Sequence, residues 1–440
     1  MSSLNKGSLL DSLISIFLLI FLFVYPLFLH PAVYSSALGF IEEGAIKNLD
    51  FFYEPRSTLL FWSCSFFLVL WSVKFLKTGD WGHRDRGMDL FLALMILTAL
   101  ASTLFSLEPL TIFGEERRRE GFLTLLSYFS LFLFAQDFLS KEGWKKLASI
   151  IILASGFLVA LYGLLQAFSL EILPRDFIRQ DWTGPFSTIG NPIFLGSYLL
   201  LLIPLPFTLL SEGKTIKNFF LVSLSLFFLA CLVLTGSRGA WLGFVALLVF
   251  FLLSARGKKW FIYSFAGVSL ILVALLFFLN PGSVNLKERA SNIADLNPRN
   301  TLVNRWNIWI RALPAILRYP VFGWGPDSFG VAFPQFSPEE SLSLFGSSFA
   351  YVDKAHNDLI QIAVTLGIGG LIAYILFLVR LFSLSFPTRR SDPFSAYVLP
   401  GIFGYLVSLQ LSFSVVSVAP LFWVLGGMAT GGLKENAPKA

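Results

Sequence analysis

Apolar runs recur from one end of the chain to the other, and they constrain its fold more than any other feature. Each is close to the roughly 20 residues that an α-helix needs to cross the hydrocarbon core of a bilayer. Hydrophobic residues make up 55% of the 440 residues and charged residues only 14%, well below the share of about 25% that is usual in soluble domains. The sequence therefore predicts an all-α polytopic membrane protein.

The runs correspond to about twelve predicted transmembrane helices. The first run is too long for the core of a signal peptide and is followed by no small-residue cleavage site, so we interpret it as a retained span. The sequence shows no internal repeat or heptad pattern. The predicted spans are 9–30, 58–76, 88–107, 122–139, 147–169, 192–210, 218–235, 239–254, 260–279, 357–380, 394–412 and 415–433.

The connectors between these spans differ in charge on alternate sides. One set is rich in Lys and Arg, as in ARGKKW (255–260) and PTRR (387–390), whereas the 31–57 connector carries four acidic and two basic residues. Because Lys and Arg concentrate in short cytoplasmic connectors, we expect the first set and both termini to be cytoplasmic. The other connectors are then predicted to lie outside, including the long segment 280–356 between the ninth and tenth spans.

That segment divides the chain into three predicted parts: 1–279 with nine spans, 280–356 as the outer loop, and 357–440 with three spans and a short cytoplasmic tail. Within the loop, residues 301–319 have the pattern of an amphipathic helix that rests in the membrane interface, with a kink near Pro314. Its predicted apolar face consists of Leu302, Trp306, Trp309, Leu313 and Ile316.

The sequence contains none of the common nucleotide-binding or metal-binding motifs. There is no GxxxxGKS/T loop, no GxGxxG, no HExxH and no Cys/His cluster, and Cys64 and Cys231 both lie in apolar runs. The net charge of +6 lies mostly in connectors that orient helices, so nucleic acid is not an expected partner. We expect chemistry that needs no ATP, cofactor or metal.

Arginines on the predicted outer side are candidates for anion binding. TGSRGAW (235–241) joins two spans with almost no loop, and a charge there is costly enough to indicate function; the alternative for Arg238 is snorkelling to the headgroups. The cluster at 117–119 either pairs with its own glutamates or binds an anionic lipid-linked substrate. Arg305 lies at the edge of the polar face of the 301–319 helix, from which it can reach toward the bundle.

Polar residues also stand at two predicted helix starts. Asn191 precedes the sixth span, where it either caps the helix or binds a sugar, and capping is favoured. His356 lies in DKAHNDLIQ, at the outer end of the tenth span, with Asp353 and Asp358 nearby. An imidazole with an ordinary pKa is neutral at pH 7 and can accept a proton; the alternative is an interfacial histidine with no chemical task.

Several of these stretches together resemble the O-antigen ligase superfamily, which includes lipopolysaccharide O-antigen ligases, O-antigen polymerases and protein O-oligosaccharyltransferases. The core of the resemblance is an arginine turn, a long outer loop and a His-Asn pair at the next helix, and the likeness runs from about residue 110 to 430. The motifs are TGSRGAWLG, NRWNIW, PVFGWGPDSF and AHNDLIQ, preceded by RREGFLTLL and GNPIFLGSYL.

The resemblance implies an all-helical glycosyltransferase of the GT-C type in the bacterial inner membrane. Such an enzyme moves a glycan from undecaprenyl pyrophosphate to an acceptor hydroxyl at the periplasmic face. By matching motifs, Arg238 and Arg305 would bind the pyrophosphate, and His356 would be the base or orienting group at the acceptor. Further substrate contacts are implied for one of the two arginines Arg118 and Arg119, and for Asn191 and Asn357.

Other readings stay open at this point. Within the family, we expect ligation to lipid A-core first and polymerisation second, with protein glycosylation as a further alternative, because nothing resembles an appended acceptor-binding domain. A transporter or glycolipid flippase is an alternative from a different class of protein, but such proteins often have two similar halves, which this sequence does not show. A non-catalytic assembly scaffold is a third alternative, and it would need neither Arg238 nor His356.

The charge asymmetry of the connectors yields a testable orientation. A reporter enzyme that is active only in the periplasm should be active when fused after residue 285 or 345 and silent when fused near 257 or 388, because the positive-inside rule puts these positions on opposite sides. The opposite pattern would contradict the predicted orientation and would put His356 in the cytoplasm.

Overall fold

The computed structural model describes residues 6–31, 50–79, 86–108, 111–115, 118–171, 184–254, 259–292, 301–388 and 393–431. All regular structure in these ranges is helical, so the predicted all-α class is confirmed. The α-helices are α1 Lys6–Val24, α2 Tyr53–Thr78, α3 Arg86–Phe105, α4 Phe122–Phe138, α5 Glu142–Ala167, α6 Pro192–Leu202, α7 Thr215–Leu234, α8 Arg238–Ser254, α9 Lys259–Leu279, α10 Leu286–Ser291, α11 Thr301–Arg318, α12 Phe329–Ala332, α13 Pro338–Phe345, α14 Asp358–Thr365, α15 Gly367–Thr388, α16 Pro393–Ser408 and α17 Ala419–Thr430.

The lengths and apolar composition of these helices indicate a multi-pass membrane protein. Within the described ranges, eight helical segments are long and apolar enough to cross a bilayer. Four shorter apolar helices occupy the other predicted spans, so twelve crossings stays a prediction. The shorter helices are Phe122–Phe138, Arg238–Leu253, Tyr263–Leu279 and Ala419–Thr430.

Close helix contacts in the bundle depend on small residues. The helices α8 and α16 pack along each other, as do α4 and α17 and also α3 and α15. A Cβ atom at Gly243 would lie 2.5 Å from the carbonyl oxygen of Gly404, and one at Gly404 would lie 2.6 Å from that of Gly243. Glycine at both positions therefore brings the two backbones together, as is common between membrane helices.

The predicted tenth span, 357–380, is divided between two helices. Its first part is α14, and α15 begins at Gly367, whose φ of 72° belongs to the left-handed region that glycine adopts readily. The preceding loop covers this break: Ile368 donates its backbone N–H to Pro320 O at 2.8 Å, and Trp324 donates to Val364 O at 3.0 Å. The outer loop is thus attached directly to the bundle beside His356.

The predicted amphipathic helix is present as α11, with Pro314 inside it, but the prediction that its apolar residues form a single face is wrong. Trp309 and Ile316 pack on a small core that the outer loop forms with α14. The alanines at 312 and 315 are buried there, and their small size lets α11 approach that core closely. A second apolar row points away from the protein and consists of Trp306, Ile310, Leu313 and Leu317.

Two buried cations lie near opposite ends of α2. At one end, the fully buried Arg56 joins α1, α2 and the 184–191 connector. At the other end, Lys74 pairs with Asp11 at 3.0 Å. Which end faces the cytoplasm stays a prediction. The guanidinium of Arg56 donates hydrogen bonds to the backbone carbonyls of Tyr25, Phe52, Pro26 and Thr188.

Candidate active site

The segment around His356 is held from both sides. Trp309 of α11 donates its indole N–H to Ala355 O at 2.9 Å. Asn357 caps α14, accepting from Ile360 N at 3.0 Å and donating to Gln410 O at 3.2 Å. Between these anchors His356 adopts a φ of 52°, a conformation that is uncommon for any residue except glycine and that clusters at functional sites.

The imidazole of His356 is positioned by an aromatic ring and has free nitrogens. Its ring packs edge-on against Phe413 at 5.3 Å between centroids, and neither nitrogen makes a hydrogen bond within the described part of the chain. Phe413 lies between α16 and α17, contacts Phe194 of α6 at 5.4 Å, and faces the guanidinium of Arg118 at 5.3 Å. This one ring therefore joins the histidine to an arginine and to the start of α6.

The arginine cluster before α4 divides its side chains between two directions. Arg118 donates its Nε–H to Asp353 at 3.0 Å, and its guanidinium lies over the rings of Tyr53 and Phe413. Arg119 turns away and pairs with Glu54 at 2.9 Å. Of the two arginines of this cluster that the structure describes, Arg118 therefore lies on the side of His356. Arg117 lies outside the described residues.

Arg305 is a buried cation without an anion. Only 7% of its surface is exposed, and it has neither a hydrogen bond nor an ion pair among the residues that the structure describes. Burial, and then the positive charge of Arg238, lower the pKa of Arg305 to about 10. Arg238 begins α8 and donates its Nε–H to Arg289 O at 3.1 Å. The positive charges of Arg289 and Arg238 act on each other, and that of Arg238 acts on Arg305.

These cations act on His356. Burial is the largest effect on the imidazole, followed by the charges of Arg305, Arg118 and Lys354, and together they lower the pKa of His356 to about 4, with Asp353 opposing them. The histidine is therefore neutral at pH 7, as the sequence predicted. The same shift moves its protonation well below the pH 6–7 range of an ordinary histidine.

Asp327, in the GWGPDSFG loop, holds two segments of the site together. One carboxylate oxygen accepts the backbone N–H groups of Glu115 at 2.7 Å and Glu120 at 3.1 Å, on either side of Arg118. The other oxygen pairs with Lys354, two residues before His356, and both charged side chains are almost fully buried. The arginine and the histidine are thus fixed relative to each other through one carboxylate.

A cavity of about 100 Å³ adjoins this ion pair. Its polar end contains Glu120, whose carboxyl oxygens both accept from Tyr128 Oη at 3.0 Å, and burial raises the pKa of Glu120 to about 8. Phe413 and Lys354 also line it, whereas His356, Arg305 and Arg238 do not. This cavity is therefore a separate feature from the group formed by the arginines and the histidine.

Four of the predicted residues act on one another through their charges. The positive charge of Arg238 lowers the pKa of Arg305, and the charges of Arg305 and Arg118 lower the pKa of His356. The two asparagines have capping roles, since Asn191 accepts from Ile193 N at 2.8 Å and Asn357 caps α14. Sugar binding by either, or by Arg119, stays a prediction. The sequence reading missed Phe413, Asp327 and Lys354, although the last two lie inside the motifs GWGPDSFG and DKAHNDLIQ.

A family model described as O-antigen ligase matches residues 223–375. This range runs from α7 into α15 and contains Arg238, Arg305 and His356. The match confirms the resemblance to the O-antigen ligase superfamily that the motifs indicate. No curated protein matches the sequence.

The buried pair of Asp327 and Lys354 generates a stability prediction. Asp327→Asn or Lys354→Met alone leaves one buried charge without its partner, so each should lower the free energy of unfolding by roughly 3–5 kcal/mol. The double variant removes both charges and keeps an oxygen for the two backbone N–H groups, so it should lose less than the sum of the single losses. Thermal unfolding of the purified protein measures this coupling, and additive losses would contradict it.

Proposed function

Because residues 223–375 match the O-antigen ligase family, we propose that this chain transfers a glycan from undecaprenyl pyrophosphate to an acceptor hydroxyl at the periplasmic face of the inner membrane. The proposed reaction is ligation of O-antigen to lipid A-core. One observation carries the proposal: among the described residues, the buried Arg305 has no anionic partner and acts electrostatically on a neutral histidine whose nitrogens make no hydrogen bond.

A diphosphate supplies the charge that this site lacks. Guanidinium groups stay ionised at any physiological pH and hold phosphate oxygens through two parallel N–H donors. Arg305 has its donors unused among the described residues, and Arg238 repels it. A bound pyrophosphate would replace that repulsion with two attractive contacts, so the site favours an anion of at least two negative charges.

In the proposed reaction, negative charge develops on the leaving diphosphate and positive charge develops on the histidine. The acceptor oxygen forms a bond to the anomeric carbon while the bond from that carbon to the phosphate oxygen breaks. The leaving undecaprenyl pyrophosphate keeps the electron pair, and Arg305 and Arg238 stabilise the negative charge that develops on it. His356 takes the proton of the acceptor hydroxyl and becomes imidazolium. The sugar–phosphate bond of the donor supplies the driving force, so no nucleotide is consumed.

The donor also activates the base in this proposal. Before the donor binds, burial and then the positive charge of Arg305 lower the pKa of His356 to about 4, with a further contribution from Arg118, which makes the imidazole a weak proton acceptor. A diphosphate between the arginines cancels much of their charge and raises that pKa toward the operating pH, where a general base works best. The histidine then becomes effective only after the donor has bound.

Both substrates are lipids, which fits the position of the site. The exposed apolar row of α11 lies on the same helix as Arg305 and contains Trp306 and Leu317. A helix with such a row rests in the membrane interface, where the reactive groups of a lipid-linked donor and a lipid-anchored acceptor both lie. A transporter would need a pathway across the bilayer, whereas the proposed anion site lies at one end of the bundle.

The test is transfer in vitro with purified protein and an undecaprenyl-pyrophosphate glycan. His356→Asn removes the base but keeps a residue that tolerates a positive φ, so it should bind donor normally and turn over roughly 10²–10⁴-fold more slowly. Arg305→Ala should instead weaken donor binding by at least about 30-fold. Donor affinity and turnover are measured separately for each variant.

The matched control for Arg305→Ala is Arg311→Ala on the same helix, because Arg311 pairs with the exposed Glu340 at 2.9 Å, away from His356. This control should bind and transfer like the wild type. Normal turnover in His356→Asn would contradict the assignment of the base. Comparing lipid A-core, a growing polysaccharide and a protein as acceptors tests the proposed ligation, and transfer only to one of the other two would replace it with polymerisation or protein glycosylation.

A further inference from the structure

The ion pair between Arg118 and Asp353 lies inside the candidate site. The Nε–H of Arg118 is 3.0 Å from the carboxylate, and the two side chains are only 21% and 15% exposed. The guanidinium also faces the Phe413 ring that packs on His356. Unlike Arg305, this arginine already has an anion, so a phosphate that binds through its Nε–H must displace a carboxylate.

Asp353 is also the anion that opposes the cations around His356. The charges that act on the imidazole come from Arg305 on α11, Arg118 before α4, and Lys354 and Asp353 in its own loop. Lys354 is already paired with Asp327. Arg118, Lys354 and His356 all lower the pKa of Asp353 below the usual range despite its burial, so this carboxylate is ionised at neutral pH.

Resting on the proposed function, we propose that Asp353 is a positioning residue that changes partners during the reaction. Before the donor binds, Asp353 takes the place of a phosphate at Arg118. When the diphosphate of the donor binds Arg118, Asp353 is released and becomes the counter-ion of His356. The arrival of the donor is thereby coupled to the preparation of the base.

The exchange keeps the charges balanced at each stage. Before the donor binds, Arg118 is neutralised by Asp353 and the imidazole is neutral. Afterwards, phosphate oxygens neutralise Arg118, and the freed carboxylate faces an imidazole that gains a positive charge as it takes the acceptor proton. An opposite charge within about 4–6 Å stabilises such a cation substantially. When the product leaves, His356 gives up its proton and Asp353 returns to Arg118.

The exchange predicts opposite effects on binding and turnover in Asp353→Asn. Without a competing carboxylate, Arg118 should bind the donor more tightly, with a dissociation constant about 2–5-fold lower. Without its counter-ion, the imidazolium is less stable, so kcat should fall roughly tenfold or more, and the acidic limb of the kcat profile should move to lower pH. A residue needed only for folding would not tighten binding.

The matched control is Glu340→Gln, which neutralises the carboxylate of another arginine pair in the same segment and keeps a side chain that serves in the capping box of α13. Its donor affinity and kcat should equal those of the wild type. If the wild type transfers glycan and Asp353→Asn matches it in both quantities, or binds donor more weakly, the exchange is wrong while the proposed function stands. If the wild type does not bind undecaprenyl pyrophosphate, both are wrong.

Discussion

A buried guanidinium without an anion is the constraint around which this site is organised. Removing a charge from water is expensive unless an opposite charge or several hydrogen bonds compensate for it. Arg305 has neither within the described structure, although it is 7% exposed. Its pKa of about 10 still leaves it protonated at pH 7. The folded protein therefore stores an unfavourable interaction that an anionic ligand would relieve.

Other buried charges in the protein show how different Arg305 is. Arg56 donates hydrogen bonds to backbone carbonyls of three segments at one end of the bundle. Lys354 is paired with Asp327, and that carboxylate also accepts two backbone N–H groups. These groups are satisfied and hold the framework in place. The rigid framework is what allows one cation to stay uncompensated beside a histidine that has an unusual backbone conformation.

The sequence predicted an all-helical, multi-pass protein because long apolar runs follow from the membrane itself. It also predicted α11, since an amphipathic period is a local property. It was wrong about the single apolar face of α11, because the outer loop and α14 form a small core that takes part of that face. The break at Gly367 was missed for a similar reason: the backbone groups it frees are satisfied by residues 320–325, a contact that no local pattern reveals.

Within the site, the sequence identified the charged residues but not their partners. Arg238, Arg305 and His356 stand out because charge is conspicuous in an apolar chain. Which arginine of the 117–119 cluster faces the histidine depends on the turn before α4, where Arg119 adopts a φ of 58° and turns toward Glu54. Phe413 was missed because one phenylalanine among 49 carries no signal, and only the packed structure shows it between Arg118 and His356.

If the cations around His356 form a diphosphate site that controls its basicity, the titration of this imidazole must respond to the donor. The chain has only three histidines, so His30→Gln and His83→Gln leave one imidazole whose ring nitrogens can be followed by NMR after histidine labelling. We expect a pKa of about 4 for His356 in the free protein and a rise of one unit or more, about the effect of one neutralised charge, when undecaprenyl pyrophosphate is added. An ordinary pKa near 6.5 that the diphosphate leaves unchanged would contradict it.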